Sequence, residues 1–239
     1  MLVTAIKTSL FKNGRPLFDF IVQHVPPLHS GDLLVVTSKI VALSEGRVAR
    51  LADKQRIIAQ ESREVIETPW AFITCGADGW SINAGVDASN ADGQLVLLPR
   101  DTGAAAAVLC VALKKRFRIK KLGVIITDTR SVPLRVGTIG RALGYAGFEP
   151  LKSYIGKKDL FGRTSRVTQS NHADALAAAA VLVMGEGNER CPLAVISGAP
   201  VLFTAPRSSK RTIPLALSPE LDIFSYVFAH VSKKKKRQK

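Results

Sequence analysis

Side chains able to bind a metal ion are concentrated in one short stretch, SINAGVDASNADG, at residues 81–93. It holds two carboxylates, two asparagines and two serines between two apolar segments. Such residues commonly form turns, so a plain hairpin turn is one interpretation. Oxygen ligands of this kind also suit hard divalent cations such as Mg²⁺. The residues therefore fit either a turn or a divalent-metal site, and their concentration in a chain with few acidic residues favours the metal site.

Further oxygen ligands occur at two other places in the chain. Asp128 and Thr129 end the apolar segment GVIITDT, and Glu186 follows an alanine-rich segment on a glycine-flanked turn. Acidic residues at the carboxyl ends of strands are well placed to face a cleft. Together with Asp87 and Asn90 they suit Mg²⁺ that keeps some waters and bridges substrate phosphates. Ordinary turn and capping roles are the alternative for each residue taken separately.

Groups that could bind phosphate lie near these ligands in the sequence. The segment VVTSK puts Thr37, Ser38 and Lys39 at the end of a strand, and VPLR supplies Arg135 soon after Asp128. Hydroxyl, ammonium and guanidinium groups can stabilise a triphosphate and the charge that develops on it during transfer. Lys39 and Arg135 are therefore candidate catalytic residues, with plain surface charges as the alternative.

Several common catalytic signatures are absent from the sequence. It has no GxxxxGK[ST] phosphate loop, no complete dinucleotide fingerprint and no GxSxG nucleophile elbow. The four histidines show no ligand spacing. The three cysteines, Cys75, Cys110 and Cys191, are isolated and odd in number. We therefore expect no nucleophilic triad, zinc site or disulfide framework.

The composition is typical of a soluble globular protein. Of the 239 residues, 46% are hydrophobic and 22% are charged, which excludes a disordered chain. No apolar run reaches the ~18 residues of a membrane-spanning helix, and the N-terminal segment lacks the pattern of a secretory signal. We expect a cytoplasmic protein with a single domain over residues 1–232, which could contain two subdomains.

The net charge of +15 is concentrated in two clusters. Six cations lie in KKKKRQK at 233–239, and six more in KKRFRIKK at 114–121, with no acid among them. Such clusters can bind phosphate-rich partners. We expect a solvated, disordered tail at 233–239. The internal cluster closes an apparent helix, where cations favour the negative end of the dipole.

Strand-like and helix-like segments alternate along the chain and must position these groups. The patterns predict strands at 32–43, 70–75, 80–83, 94–99, 121–129 and 191–198 and helices at 53–67, 101–117 and 172–187. Asp101 or Thr102 can cap the second helix, Gly185 stops the third, and GADG predicts a hairpin turn. The pattern indicates a mixed α/β (α+β) fold.

Glycines recur at positions 137, 140, 144 and 147 in LRVGTIGRALGYAGFEP. On a helix they would share one face and expose backbone. Close helix packing or a broken, loop-like segment is one interpretation, since glycine is a poor helix former. Close approach of a nucleotide or substrate is the other.

Five blocks of the sequence, taken in order, resemble one family. They are GDLLVVTSKIVALSEGRV, NAGVDASN, GVIITDT, GRALGYAGFEPLKSYIGKKDLFGR and LAAAAVLVMGEG. Together they resemble the γ-glutamyl ligases of deazaflavin coenzyme biosynthesis, the coenzyme F-420-0:L-glutamate ligase family, from about Thr8 to Gly198. The resemblance implies the fold of these ligases, an intertwined homodimer and no phosphate loop.

The resemblance also implies a GTP-dependent reaction. A substrate carboxylate would attack the γ-phosphate to give an acyl phosphate, and the amine of L-glutamate would displace phosphate to form an amide. Two divalent ions, Mg²⁺ or Mn²⁺, would bridge the triphosphate, and K⁺ is a further candidate ion. The implied acceptor is a deazaflavin precursor, coenzyme F-420-0. Neither a membrane nor a nucleic acid is expected as a partner.

Matching motifs assign these roles to individual residues. One ion would be bound by Asp87 and Asp128, and the other by Thr129 and Glu186. The nucleotide contacts implied by the family come from four segments and comprise Thr8, Ser9, Leu10, Phe11, Thr37, Ser38, Asn90, Met184, Gly185, Glu186, Gly187 and Asn188, with the last turn reaching Cys191. By this resemblance, NAGVDASN is a loop for metal and nucleotide rather than a hairpin turn.

Two departures from the family pattern bear on the acceptor and the nucleotide. Many relatives read SDTxGRPxRxG where this chain has TDTRSVPLRVG, so Ser131 and Val132 replace a Gly-Arg pair. Leu43 stands where relatives often carry a lysine, which leaves the choice between GTP and ATP open. A folate-like or other pterin-type carboxylate is therefore an alternative acceptor. A non-catalytic descendant that binds nucleotides or nucleic acid through the basic clusters is the alternative from another class.

Overall fold

Two units of the chain each have their own sheets. The computed structural model describes residues 1–77, 79–206, 213–217, 221–222 and 224. Unit 1 comprises Met1–Arg47 and the described part of Pro99–Ile213, and unit 2 comprises Val48–Leu98 and the described residues from Pro214 onward. The predicted basic tail at 233–239 lies outside the described residues.

The described residues form a mixed α/β fold, as the sequence predicts. The strands are β1 (Leu2–Ile6), β2 (Asp32–Thr37), β3 (Val48–Arg50), β4 (Glu64–Glu67), β5 (Phe72–Gly76), β6 (Gly79–Ile82), β7 (Gln94–Val96), β8 (Leu122–Ser131), β9 (Thr138–Ala146), β10 (Leu151–Ser153), β11 (Gln169–Asn171) and β12 (Leu193–Ser197). The helices are α1 (Leu17–His24), α2 (Ser38–Ser44), α3 (Lys54–Gln60), α4 (Thr102–Phe117) and α5 (His172–Met184). Within these residues, no helix is both long and apolar enough to cross a membrane.

Unit 1 is built on a five-stranded sheet in the order β1-β12-β2-β8-β9. The central pair, β2 and β8, is parallel, and the other pairs are antiparallel. One face of the sheet packs on α1 and α4 through a buried cluster that includes Phe20, Leu34, Leu109, Val124 and Ile126. Burial of each large apolar side chain contributes about 1.5–3 kcal/mol, so this cluster holds β8 firmly in place.

A β-bulge divides β9 into two parts. Ile126 pairs with Gly144 and Thr127 with Ala142, which leaves Leu143 without an opposite residue on β8. A Cβ on Gly144 would lie 2.4 Å from the backbone of Thr102 in α4, and one on Gly140 would lie 2.7 Å from Val181 in α5. The glycine-rich segment is thus a strand, not a helix, and its glycines at 140 and 144 allow close packing of two helices. The interpretation as close helix packing was right that the glycines allow close packing. It was wrong that the segment itself is a helix.

The predicted ends of two segments were wrong. The strand predicted over 32–43 ends at Thr37, because Ser38–Ser44 forms α2 and buries Ile40 and Val41. A short apolar run does not distinguish a buried strand from a buried helix. The helix predicted over 53–67 ends at Gln60, since Glu64–Glu67 pairs with β5 as a strand.

The helix caps follow the sequence signals. The Asp101 carboxylate accepts a 2.8 Å hydrogen bond from the Ala104 N–H at the start of α4, and α5 ends at Met184, just before Gly185, whose φ is +78°. Cys110 of α4 donates to the Leu122 carbonyl at 3.2 Å. Burial raises the pKa of this thiol to about 11, so Cys110 stays protonated and serves packing.

Unit 2 contains the sheet β4-β5-β6 and the pair β3-β7. The antiparallel pair β5 and β6 confirms the hairpin predicted from GADG. Residues 83–93 connect β6 to β7, and these strands belong to different sheets. The interpretation of this stretch as a plain hairpin turn is therefore wrong. The small core beside it contains Ile58, Val86, Leu95 and Leu97.

Candidate functional site

Asp128 lies near the carboxyl end of β8. It contacts one residue that is distant in sequence and one on the neighbouring strand β9. The Ser38 hydroxyl, at the start of α2, lies 3.5 Å from its Oδ1 atom. The Nη2 atom of Arg141, opposite on β9, lies 3.9 Å from its Oδ2 atom. These two contacts hold the carboxylate in place. Because the side chain is 26% exposed, it is still open to a ligand.

Thr129 and Glu186 form a second oxygen pair. The Thr129 hydroxyl donates to Oε2 of Glu186 at 3.4 Å, although the two residues are 57 positions apart. Successive side chains of a strand point to opposite faces, so Asp128 and Thr129 face different sides of β8. The oxygen ligands of unit 1 are therefore the single carboxylate of Asp128 and the Thr129–Glu186 pair.

The turn after α5 places Glu186 and joins two segments predicted to contact the nucleotide. Its Arg190 carbonyl accepts a 2.9 Å bond from the N–H of Thr8. The Pro192 carbonyl, just beyond the turn, accepts a 3.0 Å bond from the N–H of Thr37. Within the turn, the Gly187 N–H donates to the Glu189 carboxylate at 2.8 Å. Three of the four predicted nucleotide segments thus lie side by side in unit 1.

The predicted segment Thr8 to Phe11 is partly a structural element. Phe11 is buried and its ring packs edge-on against Phe20 at 4.8 Å, so its side chain belongs to the core. Leu10 is exposed. The N–H of Ser9 lies 3.2 Å from Nε2 of His24, which anchors the segment to the end of α1.

The two predicted catalytic cations occupy different settings. Lys39 is half-buried in the first turn of α2, next to Ser38. Arg135 is exposed in the turn between β8 and β9, where its N–H donates to the Val132 carbonyl at 3.2 Å. Lys39 therefore adjoins a contact of Asp128, whereas Arg135 lies on an exposed turn.

Asp87 and Asn90 lie on the loop of unit 2. The carboxylate of Asp87 accepts bonds from the N–H and hydroxyl of Ser89, at 2.8 and 2.7 Å. The backbone of Asp87 exchanges two hydrogen bonds with Val96, at 3.0 and 2.8 Å. Asn90 has φ of +50°, as expected for an asparagine in a tight turn. The loop thus holds its own carboxylate in an exposed position.

The chemistry of the donors in unit 1 fits a magnesium or manganese ion. Asp128, Thr129 and Glu186 present hard oxygen atoms, the ligand type that Mg²⁺ prefers. No group of three or more His, Cys, Asp or Glu side chains suited to a metal occurs among the described residues. Asp128 and the Thr129–Glu186 pair suit ions that take further ligands from water and substrate phosphates, as Mg²⁺ does at phosphoryl-transfer sites.

Two residues in this region were missed by the sequence analysis. Arg141 contacts Asp128, as described above. Asp174, in the first turn of α5, accepts a 2.9 Å bond from the N–H of Ala142 beside the bulge, and Nη2 of Arg130 lies 3.9 Å from its carboxylate. A lone arginine within an otherwise apolar and glycine-rich run, GRALGYAG, was the available signal for Arg141.

Comparison with known proteins assigns the chain to the ligases that join an acid to an amino acid. The family model described as F420-0:Gamma-glutamyl ligase matches residues 5–198. The chain belongs to this family, which confirms the resemblance seen in the sequence, and it is an acid–amino-acid ligase.

Individual relatives support the same assignment. The chain is 34% identical over 212 residues to the Coenzyme F420:L-glutamate ligase of Methanosarcina mazei, covering 80% of this chain and 83% of that protein. It is 36% identical over 215 residues to the enzyme of that name from Archaeoglobus fulgidus, covering 79% and 84%. With the one from Methanothermobacter thermautotrophicus it shares 34% identity over 241 residues, covering 92% and 90%.

Proposed function

We propose that this protein is a GTP- and divalent-metal-dependent ligase that joins L-glutamate to the carboxylate of a deazaflavin precursor, coenzyme F-420-0. The names of the relatives support glutamate as one substrate. The observation that carries the proposal is the grouping of Asp128, the Thr129–Glu186 pair and three predicted nucleotide segments in unit 1. The acting form is proposed to be a homodimer.

The reaction proceeds in two steps that balance. A carboxylate oxygen of the acceptor attacks the γ-phosphorus of GTP, and GDP leaves with the bridging oxygen. The resulting acyl phosphate is then attacked at its carbonyl carbon by the amine of L-glutamate. The amide bond forms, inorganic phosphate leaves, and the amine loses its proton to solvent.

Residues of unit 1 would hold the reacting groups. When bound, divalent ions neutralise the charge on the triphosphate and on the transferring phosphoryl group. Asp128 would bind one ion, and Thr129 with Glu186 the other; the direct contact between Thr129 and Glu186 supports the second assignment. From the resemblance, Asp87 is proposed as a metal ligand and Asn90 as a nucleotide contact. K⁺ is proposed as a further candidate ion.

The remaining candidates of unit 1 would act on phosphate and acceptor. The hydroxyls of Thr37 and Ser38 and the ammonium of Lys39 would bind phosphate oxygens at the end of β2. The exposed Arg135 would pair with an acidic group of the acceptor as it docks. The turn from Met184 to Cys191 would bind the nucleotide chiefly through its backbone.

A folate-type acceptor is the second candidate, because one of the two departures from the family pattern, at Ser131 and Val132, lies in an exposed region beside Arg135. Ser131, at the end of β8, and Val132 and Leu134, in the turn that follows, are exposed near Arg135. A change there would alter acceptor recognition and leave Asp128 and Thr129 in place.

An intact-mass assay tests the function and the acceptor together. The purified protein is incubated with L-glutamate, GTP or ATP, Mg²⁺ or Mn²⁺, and either coenzyme F-420-0 or a folate. A gain of glutamyl mass on the deazaflavin precursor that requires both nucleotide and metal is the expected result. A gain on the folate alone would identify a folate as the acceptor and would still support the ligase activity.

The absence of any mass gain would contradict the proposed acceptors. Nucleotide binding that depends on metal would then indicate a ligase for another carboxylate. Binding of nucleic acid without metal-dependent nucleotide binding would favour the non-catalytic descendant, and that binding should weaken steeply as salt rises.

A further inference from the structure

Arg141 is a buried guanidinium beside a carboxylate of the proposed metal site. Its side chain is 6% exposed, and its Nη2 atom lies 3.9 Å from Oδ2 of Asp128. A buried cation needs an opposite charge or hydrogen bonds to offset its lost hydration. Asp128 supplies an opposite charge, so the two groups are coupled even before any ligand binds.

The bulge in β9 places Arg141 on this face. Because Leu143 has no opposite residue, Thr127 pairs with Ala142 and Asp128 with Arg141. The bulge is held at both ends, since Thr102 donates to the Leu143 carbonyl at 2.9 Å and Asp174 accepts from the Ala142 N–H at 2.9 Å. Bulges commonly redirect side chains beside active sites. The position of Arg141 is therefore set by the pairing of β8 with β9, and Arg141 is not an adaptable surface residue.

We propose that Arg141 is a positioning residue that sets the divalent-ion affinity of Asp128. It neutralises and orients the carboxylate in the metal-free protein and opposes the charge of an incoming ion. A divalent ion bound to Asp128 would be near the guanidinium, which lies 3.9 Å from the carboxylate, and two cations in a partly buried site repel each other. This inference rests on the proposed function, in which Asp128 is a metal ligand.

Coupling between metal and nucleotide follows from this repulsion. A triphosphate brings negative charge that offsets both cations, so the ion binds weakly alone and strongly with nucleotide. Arg141 thereby favours occupation of the site when the substrate is present. This is a form of positive cooperativity, in which each ligand raises the affinity for the other by the same factor.

Arg130 provides a matched control. It lies on β8, and its Nη2 atom is 3.9 Å from a carboxylate oxygen of Asp174, the same distance as in the Arg141 pair. The Arg130 side chain is 45% exposed, and the Asp174 carboxylate that it contacts is not a proposed metal ligand. A change at Arg130 therefore removes an arginine ion pair without touching Asp128.

Calorimetric titration of Mn²⁺ into the full-length protein without nucleotide tests the proposal. Arg141→Met, which keeps much of the side-chain volume, should lower the Kd for Mn²⁺ by about tenfold or more, as expected for the loss of a neighbouring charge in a partly buried site. Arg130→Met should leave the Kd within about twofold, because solvent screens an exposed pair. Arg141→Lys, which retains the charge, should stay close to the wild-type Kd.

An unchanged or higher Kd in Arg141→Met would overturn the proposal, because a purely structural arginine would not oppose metal binding. If Arg141→Met does not fold, Arg141→Gln replaces it with the same expected direction. The mass assay on the wild-type protein separates the two claims. A tenfold effect on Mn²⁺ affinity with no ligation would reject the proposed function alone, whereas ligation with no effect on affinity would reject the role of Arg141 alone.

Discussion

The carboxylates of Asp128 in unit 1 and Asp87 in unit 2 are supported in different ways. Asp128 contacts Ser38, which is 90 positions away in the chain, and Arg141 on the neighbouring strand. Asp87 accepts two hydrogen bonds from Ser89, which is two positions away. The first carboxylate is therefore positioned by the tertiary fold, and the second by its own loop.

This difference predicts how each region responds to substitution. A change at Asp128 acts on a group that is 26% exposed and set between two elements, where electrostatic interactions are strong. A change near Asp87 acts on an exposed loop, where water can replace a lost hydrogen bond. We therefore expect larger effects in unit 1 than in unit 2.

Asp128→Asn should have the largest effect of the four changes considered. The amide keeps the shape of the side chain and loses the charge that binds the metal ion, so kcat for glutamate ligation should fall by about 100-fold or more. Steady-state kinetics would measure this fall. The matched control is Asp101→Asn, because asparagine also caps helices well and Asp101 lies at the start of α4. Equal losses in both variants would contradict a metal role for Asp128.

Glu186→Gln should have the next largest effect. The amide oxygen can still accept the bond from Thr129, but the site loses one negative charge. We expect a fall in kcat of about 10- to 100-fold and a higher Mn²⁺ requirement. Activity measured over a range of Mn²⁺ concentrations tests this. A fall that saturating Mn²⁺ does not lessen at all would argue against Glu186 as a metal ligand.

Gly85→Ala tests the backbone of the loop in unit 2. Gly85 has φ of +70°, and a Cβ there would lie 2.7 Å from Leu98. Gly93 also has positive φ, at +73°, with no atom within 4 Å of an added Cβ. Gly85→Ala should lower the free energy of unfolding by about 1–3 kcal/mol more than Gly93→Ala does, because it adds overpacking to the same backbone strain. Chemical denaturation of both variants measures the difference, and similar losses would show that Leu98 does not confine the loop.

Ser89→Ala should have the smallest effect. It removes the hydroxyl bond to Asp87 and retains the bond from the Ser89 N–H. The loss of one exposed bond to a charged group corresponds to about 1 kcal/mol, or roughly a fivefold rise in the KM for nucleotide. Nucleotide-dependent kinetics would measure this rise. A loss as large as that of Asp128→Asn would remove the contrast between the two regions.

Sequence patterns identify the elements of this fold best where the local signals are strong. α4 and α5 begin at good capping residues and contain long alanine-rich runs, so both were predicted. β8 was predicted because its residues are continuously apolar before Thr127 and Asp128. α2 was mistaken for part of a strand, since seven residues are too few to show a helical period clearly.

The candidate site was predictable in its residue types and not in its contacts. Asp128 and Glu186 were found from their places at the ends of elements, which is a local property. The contact between Asp128 and Arg141 depends on the bulge at Leu143, which shifts the pairing of two strands. No local pattern reports such a shift, so the contact of Arg141 with Asp128 emerged only from the structure.

The most direct test of the proposed ligase is the fate of an acceptor oxygen. The acceptor carboxylate is labelled with a heavy oxygen isotope, the reaction is run with L-glutamate, GTP and Mg²⁺, and the released phosphate is analysed by mass spectrometry. Activation through an acyl phosphate predicts that one labelled oxygen is transferred to each phosphate as the amide forms. Amide formation with unlabelled phosphate would contradict this mechanism.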